Sequence, residues 1–158
     1  MNIGIIIYSQ SGNTNAVAEQ LKEGLAASNH SVKIERLKPV EQGEKKNETV
    51  QLEVLPDLEQ YDALIFGAPV YAFSLAPVMK DYLQQISSLG GKKVVCFVTK
   101  GLAFNWTGGN RAVREMAKIC QSKKATVDGT GIVKWTASSR EQDITALSTK
   151  IEGLFKQD

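Results

Sequence analysis

The chain begins with a segment whose residue types could bind an anion. It lies between an apolar run and a helical pattern, and it consists of Ser9, Gln10, Ser11, Gly12, Asn13 and Thr14. A helix N-terminus presents unpaired N–H groups and a partial positive charge, so it can receive a phosphate without a cationic side chain. The hydroxyl and amide side chains add donors, and Gly12 allows close approach of the backbone. The alternative is that Ser11 or Asn13 simply caps the helix.

The composition of this segment excludes two kinds of nucleotide site. It has no GxxxxGK[ST] pattern, which disfavours a P-loop nucleoside triphosphatase, and no GxGxxG pattern, which disfavours a dinucleotide fold. Because the segment contains neither Lys nor Arg, it suits a monophosphate that stays bound better than a triphosphate that is cleaved. If it binds an anion, we expect a phosphate monoester.

Alternating strand and helix patterns surround this segment. Buried-strand patterns occupy residues 3–8, 63–67 and 94–99, further strands are expected at 31–37 and 127–135, and Pro69 is expected to stop the second buried strand. Helical patterns begin near Thr14, Val78, Gly109 and Ile144. Residues 38–60 are the least readable, with a short extended piece expected at 50–55. The order predicts a parallel sheet covered on both faces, within a single domain of residues 1–158.

The loops that follow the three buried strands should meet at one edge of this sheet, where ligands bind in such folds. The loop after Gly67 carries Tyr71 and Phe73, and the loop after Thr99 carries Phe104 and Trp106. Four aromatic side chains beside a phosphate-binding loop indicate a planar heterocyclic ligand.

These residues match a known family. YSQSGNT resembles the phosphate-binding loop of flavodoxins, FGAPVYAFSLAPVMKDYL resembles their second flavin-contacting loop, and FVTKGLAFNWTGGNRAVREM occupies the place of the third. The resemblance covers essentially the whole chain. It implies an α/β three-layer sandwich with a five-stranded parallel sheet of order 2-1-3-4-5, helices on both faces, and FMN as cofactor.

The resemblance also implies which residues contact FMN. Residues 9–14 would hold the phosphate, and Tyr71 and Trp106 are our choices for the residues that stack on the isoalloxazine ring. The second loop would flank one side of the ring, and the third would border its pyrimidine side. These implied contacts of the second and third loops are Pro69, Val70, Tyr71, Phe73, Thr99, Lys100, Gly101, Trp106 and Gly108. No catalytic residue and no metal ligand is assigned.

The charge of the loops departs from the acidic pattern typical of flavodoxins. Residues 68–80 and 99–113 contain no Asp or Glu, whereas Lys80, Lys100 and Arg111 are present. A cationic site favours the anionic reduced flavin. Three functions are therefore compatible with the sequence. The first is an FMN protein that carries electrons between protein partners. The second is an NAD(P)H-dependent reductase of quinones or similar acceptors, which could be a homodimer, and the third is a flavin-free interaction module.

Net charge, hydrophobic segments and cysteine usage limit the kinds of partner and the cellular compartment that the sequence predicts. The net charge of +2 and the scattered Lys pairs do not predict nucleic-acid binding, and no segment reaches the length needed to insert into a membrane. Cys96 and Cys120 are interpreted as buried apolar residues in a reducing compartment, and His30 as part of a polar turn. We expect a cytoplasmic protein.

Substitutions in the first loop test the phosphate assignment. Replacing Gly12 with Val, or Thr14 with Ala, should weaken FMN binding more than riboflavin binding, because riboflavin lacks the phosphate. Fluorescence titrations of both flavins measure the two losses. Equal losses would show that the loop merely supports the fold.

Overall fold

A computed structural model describes residues 1–40, 50–101 and 108–156. Strands and helices alternate along the chain, as the sequence predicts. The strands are β1 (Asn2–Ile7), β2 (Ser31–Arg36), β3 (Ala63–Tyr71), β4 (Ser74–Leu75), β5 (Lys93–Lys100) and β6 (Thr126–Lys134). The helices are α1 (Asn13–Ala27), α2 (Pro77–Gln85), α3 (Gly109–Ser122) and α4 (Arg140–Leu154), with a 3₁₀ turn at Leu58–Gln60.

The sheet has the predicted topology. Its strands follow the order β2-β1-β3-β5-β6, and every pairing between these five strands is parallel. Counted among the five long strands of the described residues, this is the order 2-1-3-4-5. The two-residue β4 lies off this path and pairs antiparallel with the end of β3. It is an addition to the predicted five strands.

Alternate residues of the central strands pack on opposite faces of the sheet. Ile5 belongs to the apolar layer formed with α1 and α4, whereas its neighbour Ile6 belongs to the layer formed with α2 and α3. Strands covered on both faces must be apolar at successive positions, which explains why β1, β3 and β5 are rich in Ile, Val and Phe. The sheet is therefore the middle of three layers.

The prediction that Pro69 stops the second buried strand is wrong, since β3 continues to Tyr71. The last residue of β1, Ile7, pairs with Gly67, so the pairing of β3 with β1 ends there. Pro69 continues the parallel pairing with β5, opposite Thr99. A proline is tolerated there because a strand edge does not require its missing N–H.

The segment between β2 and the 3₁₀ turn contains the extended piece that the sequence indicates. Pro39 and Leu52 form an isolated antiparallel bridge, supported by a hydrogen bond of 2.8 Å from the Val40 N–H to the Gln51 carbonyl. Residues 41–49 lie outside the described residues. The bridge joins the two ends of this long connection beside the sheet.

Cys96 and Cys120 are buried, as predicted, with their Sγ atoms 3.9 Å apart between β5 and α3. The hydrogen bond with Cys120, together with burial, raises the pKa of the Cys96 thiol well above its usual range. His30 lies beside the N-terminus, with Nδ1 3.2 Å from the Met1 amine, and burial lowers its pKa. The two cysteines and His30 are therefore buried groups that lie at a distance from the carboxyl ends of the strands.

Candidate functional site

The carboxyl ends of β1, β3 and β5 lie at the same edge of the sheet. Parallel register places Ile7 beside Gly67, and Pro69 beside Thr99. The Tyr8 N–H donates a hydrogen bond of 3.1 Å to the Gly67 carbonyl, which fixes where the chain leaves β1. The three predicted loops therefore begin next to one another.

The first loop ends in a helix N-terminus without a side-chain cap. Gly12 precedes α1 with φ +92°, a left-handed conformation that favours glycine. No heavy atom of the described residues would lie within 4 Å of a Cβ at this position. The Asn15 N–H donates to Ser9 Oγ at 3.2 Å. Within the described parts of the chain, the N–H groups of Asn13 and Thr14 have no hydrogen-bond acceptor. These donors and the open space beside Gly12 can receive an anion.

A buried pair of hydroxyl groups joins the first loop to the end of β5. Thr14 Oγ1 lies 2.8 Å from Thr99 Oγ1, and both residues are about 1% exposed. Because one hydroxyl donates to the other, one of the two hydrogens remains for another acceptor. Thr14 thus positions α1 relative to β5 in addition to any role in binding.

The second loop displays two aromatic side chains in a strained turn. Tyr71 and Phe73 are 54% and 55% exposed, and no other aromatic side chain of the described residues is as exposed. Ala72 and Phe73 have φ values of +47° and +65°, which are rare for residues with a Cβ. The Tyr71–Ser74 pairing of β3 with β4 closes this turn. Both rings lie at the surface, where a planar ligand could cover them.

The third loop touches the second through a glycine. Gly108 precedes α3 with φ +97°, and a Cβ at this position would lie 2.4 Å from the Phe73 carbonyl oxygen. Only glycine permits this approach. Residues 102–107 lie outside the described residues, so the predicted stacking residue Trp106 and the neighbouring Phe104 have no described position.

Lys100 is buried at the end of β5. Its Cδ would be 3.0 Å from a Cβ at Gly109, which places its aliphatic stem against the start of α3. Burial lowers its pKa below the ordinary value, and the positive charge of Lys134 lowers it further. The Lys100 side chain therefore lies at the border between the third loop and the sheet.

The structure brings most of the predicted site residues to one edge of the sheet. Residues 9–14 form the first loop and the start of α1, while Pro69, Val70, Tyr71 and Phe73 form the end of β3 and its turn. Thr99, Lys100 and Gly101 follow on β5, and Gly108 contacts Phe73. Whether these residues bind a cofactor stays a prediction.

The sequence analysis missed a fourth loop at this edge, which follows β6. The Trp135 N–H donates to the Lys100 carbonyl at 2.9 Å, and the Thr136 hydroxyl donates to the Gly101 carbonyl. Lys134 pairs with Lys100 across the two strands. The signal was available, because the carboxyl end of every parallel strand lies at the same edge of the sheet.

The described residues offer neither a metal site nor a membrane-spanning helix. Within them, no group of three His, Cys, Asp or Glu side chains is placed to hold a metal ion. No helix among them has both the length and the apolar character needed to cross a bilayer.

Comparison with known proteins decides the family. The family model described as the flavodoxin domain matches residues 5–131, which is most of the chain. The chain belongs to the flavodoxin family. The resemblance inferred from the three loops is thereby confirmed, and so is the flavodoxin-like α/β fold.

Solved flavodoxin structures share this fold over nearly the whole chain. Oxidised flavodoxin 2 from Bacillus cereus is 20% identical, with a TM-score of 0.71, and the match covers 98% of this chain and 100% of that one. The flavodoxin of Streptococcus pneumonia TIGR4 has the same identity and TM-score, with coverages of 98% and 97%. A flavoprotein from Lactobacillus acidophilus NCFM, solved in complex with FMN, is 20% identical, with a TM-score of 0.63 and coverages of 90% and 97%.

The Gly108–Phe73 contact predicts a specific loss of stability. Gly108→Ala adds both left-handed backbone strain and a clash with the Phe73 backbone, so it should destabilise the flavodoxin by about 2–5 kcal/mol. Gly91→Ala is the matched control, because Gly91 has φ +76° and a Cβ there would meet no atom of the described residues within 4 Å. It should cost only the backbone strain, about 1–2 kcal/mol.

Urea unfolding of both variants measures the two losses. Equal destabilisation by Gly108→Ala and Gly91→Ala would contradict the close approach of the second and third loops.

Proposed function

We propose that this flavodoxin binds FMN and carries electrons between protein partners. The observation that carries the proposal is the uncapped N-terminus of α1 beside two exposed aromatic rings on the same sheet edge. A phosphate monoester linked to a planar ring system has the two chemical parts that such a site can hold. The flavoprotein from Lactobacillus acidophilus, which shares the fold and was solved in complex with FMN, supports this choice.

The first loop fits the phosphate of FMN. The N–H groups of Asn13 and Thr14 would donate to the phosphate oxygens, and Gly12 leaves the space beside them open. The hydroxyl of the exposed Ser11 and the half-buried amide of Asn13 can add donors. The Ser9 hydroxyl already accepts from Asn15, which holds the loop in this conformation.

The second and third loops fit the ring system. Tyr71 and Phe73 offer apolar ring faces that are now half exposed to water, and covering them would remove that surface from solvent. Thr99, Lys100 and Gly101 would border the polar edge of the ring, with Gly108 holding the turn of Phe73 in place.

FMN, when bound, supplies reversible uptake of one or two electrons. This chain sets the electrostatics: the loops of residues 68–80 and 99–113 carry no acidic residue, and Lys100 is buried at their border. Positive charge beside loops that contain no acidic residue stabilises the negative charge that reduction adds. We therefore infer a potential for the second electron that is higher than in an acidic flavin site.

A second candidate function follows from the same charge. A site that stabilises the fully reduced cofactor also suits two-electron reduction by NAD(P)H, followed by transfer to a quinone or a similar small acceptor. The observation in its favour is the lack of acidic residues in both ring-binding loops. A flavin-free interaction module is the third alternative, which the open α1 N-terminus disfavours.

Anaerobic reduction of the FMN-loaded protein distinguishes these functions. Purified protein should quench FMN fluorescence at micromolar concentrations, and photoreduction should show a detectable one-electron stage. Added NADPH should not be oxidised in the presence of a quinone.

Each alternative gives a different result in the same experiment. Rapid NADPH oxidation coupled to quinone reduction would contradict the carrier in favour of the reductase. Failure to quench FMN fluorescence would exclude both redox functions and leave the interaction module.

A further inference from the structure

The surface between α2 and α3 carries a concentration of positive charge beside the candidate flavin site. Arg111, Arg114 and Lys118 follow one another at three- and four-residue spacing, so they lie on one face of α3. Lys80 faces them from α2 across an open cleft of about 770 Å³. We name this cleft, with these four cations, the α2–α3 groove.

The positive charge of the groove is largely uncompensated. Among the described residues that line it, Glu115 is the single carboxylate, and it pairs with Lys80 at 3.0 Å. Among the described residues, no carboxylate lies within salt-bridge distance of Arg111, Arg114 or Lys118. Three exposed cations therefore face solvent together, in a chain whose net charge is only +2.

Helix stability does not explain these cations. Arg111 lies in the first turn of α3, where a positive side chain opposes the helix dipole, and Arg114 lies in the second turn. The first turn of α3 contains no acidic residue that would offset them. Their arrangement therefore favours binding of an external anion over a local structural role.

The groove lies next to the loops that would hold the flavin. Gly108, which contacts the Phe73 backbone, also lines one end of the groove. A molecule bound along the cations of α3 would thus lie beside the turn that carries Phe73. This is the position that a partner of an electron carrier must reach.

The lining of the groove favours carboxylates on a protein surface over a nucleotide. Among the described residues that line it, Ile119 provides the one large apolar side chain, and none is aromatic. Dispersed cations on an open surface suit the rim charges of a protein partner, and no described lining residue offers a ring face to a nucleotide base.

We propose that the α2–α3 groove is the docking site for an acidic surface of the redox partner protein. This inference rests on the proposed electron-carrier function, which gives the partner its reason to bind beside Phe73. The positive charge of the groove would orient the partner and raise the rate at which the two proteins meet. Salt would screen this attraction between the groove and the acidic surface.

Poly-L-glutamate is the probe for the groove, because it presents carboxylates without any redox chemistry. Isothermal titration at low ionic strength should show saturable binding to the wild-type protein, and binding should be lost at about 0.5 M sodium chloride. Arg111→Glu/Arg114→Glu should weaken binding about tenfold or more, since like charges would then face each other.

Lys93→Glu/Lys156→Glu is the matched control. It changes the net charge by the same amount as Arg111→Glu/Arg114→Glu. Both lysines are exposed: Lys93 lies at the start of β5 and Lys156 follows the end of α4. Both therefore lie at the edge of the sheet opposite to the candidate flavin site. The affinity of Lys93→Glu/Lys156→Glu for poly-L-glutamate should stay within about twofold of the wild-type affinity. Urea unfolding of both variants should show native-like stability, since Glu residues suit the first turns of a helix.

Three results would overturn the docking site. The first is that the wild-type protein does not bind poly-L-glutamate. The second is equal weakening of binding in both double variants, which would indicate an effect of net charge alone. The third is that NADPH binds more tightly than poly-L-glutamate and that Arg111→Glu/Arg114→Glu abolishes this binding, which would indicate a nucleotide site. FMN affinity of the wild type, measured separately, distinguishes the two proposals. Poly-L-glutamate binding without FMN binding would refute the electron carrier and, with it, a redox protein as the partner of the groove. FMN binding without poly-L-glutamate binding would refute only the docking site.

Discussion

The parallel pairing of β3 with β1 on one side and β5 on the other is the constraint on which the candidate site depends. It places Ile7 beside Gly67 and Pro69 beside Thr99, so three loops leave the sheet at one edge. Because these strands are buried on both faces, a slip of one residue would exchange the faces of Ile5 and Ile6 between two apolar layers. The core thus fixes the spacing of loops that are themselves polar and exposed.

Two local contacts fix the positions of the three loops relative to one another. The buried Thr14–Thr99 hydrogen bond fixes α1 to β5, and the close approach of Gly108 fixes the strained turn at Phe73. Unfavourable φ angles at Ala72 and Phe73 persist because β4 and Gly108 hold both sides of the turn. The exposed aromatic rings are consequently held by rigid neighbours before any ligand arrives, which reduces the ordering that binding requires.

Much of this arrangement is predictable from local sequence patterns, and the remainder depends on distant partners. The buried strands, the order of helices and the loop of residues 9–14 follow from hydrophobic periodicity and residue type. The extension of β3 through Pro69 depends on where β1 ends, and the Thr14–Thr99 bond joins residues far apart in the chain, so neither leaves a local signal. The contact of the β6 loop with Gly101 likewise depends on strand pairing.

The central claim is that α1 holds the phosphate of FMN through backbone N–H groups. Phosphorus-31 NMR of the FMN complex tests it directly, because a free phosphate monoester gains its second proton near a pKa of about 6. Hydrogen bonds to the dianion lower that pKa, so the account predicts a bound resonance that stays constant between about pH 5.5 and 8. A bound resonance that shifts with pH like that of free FMN would contradict it.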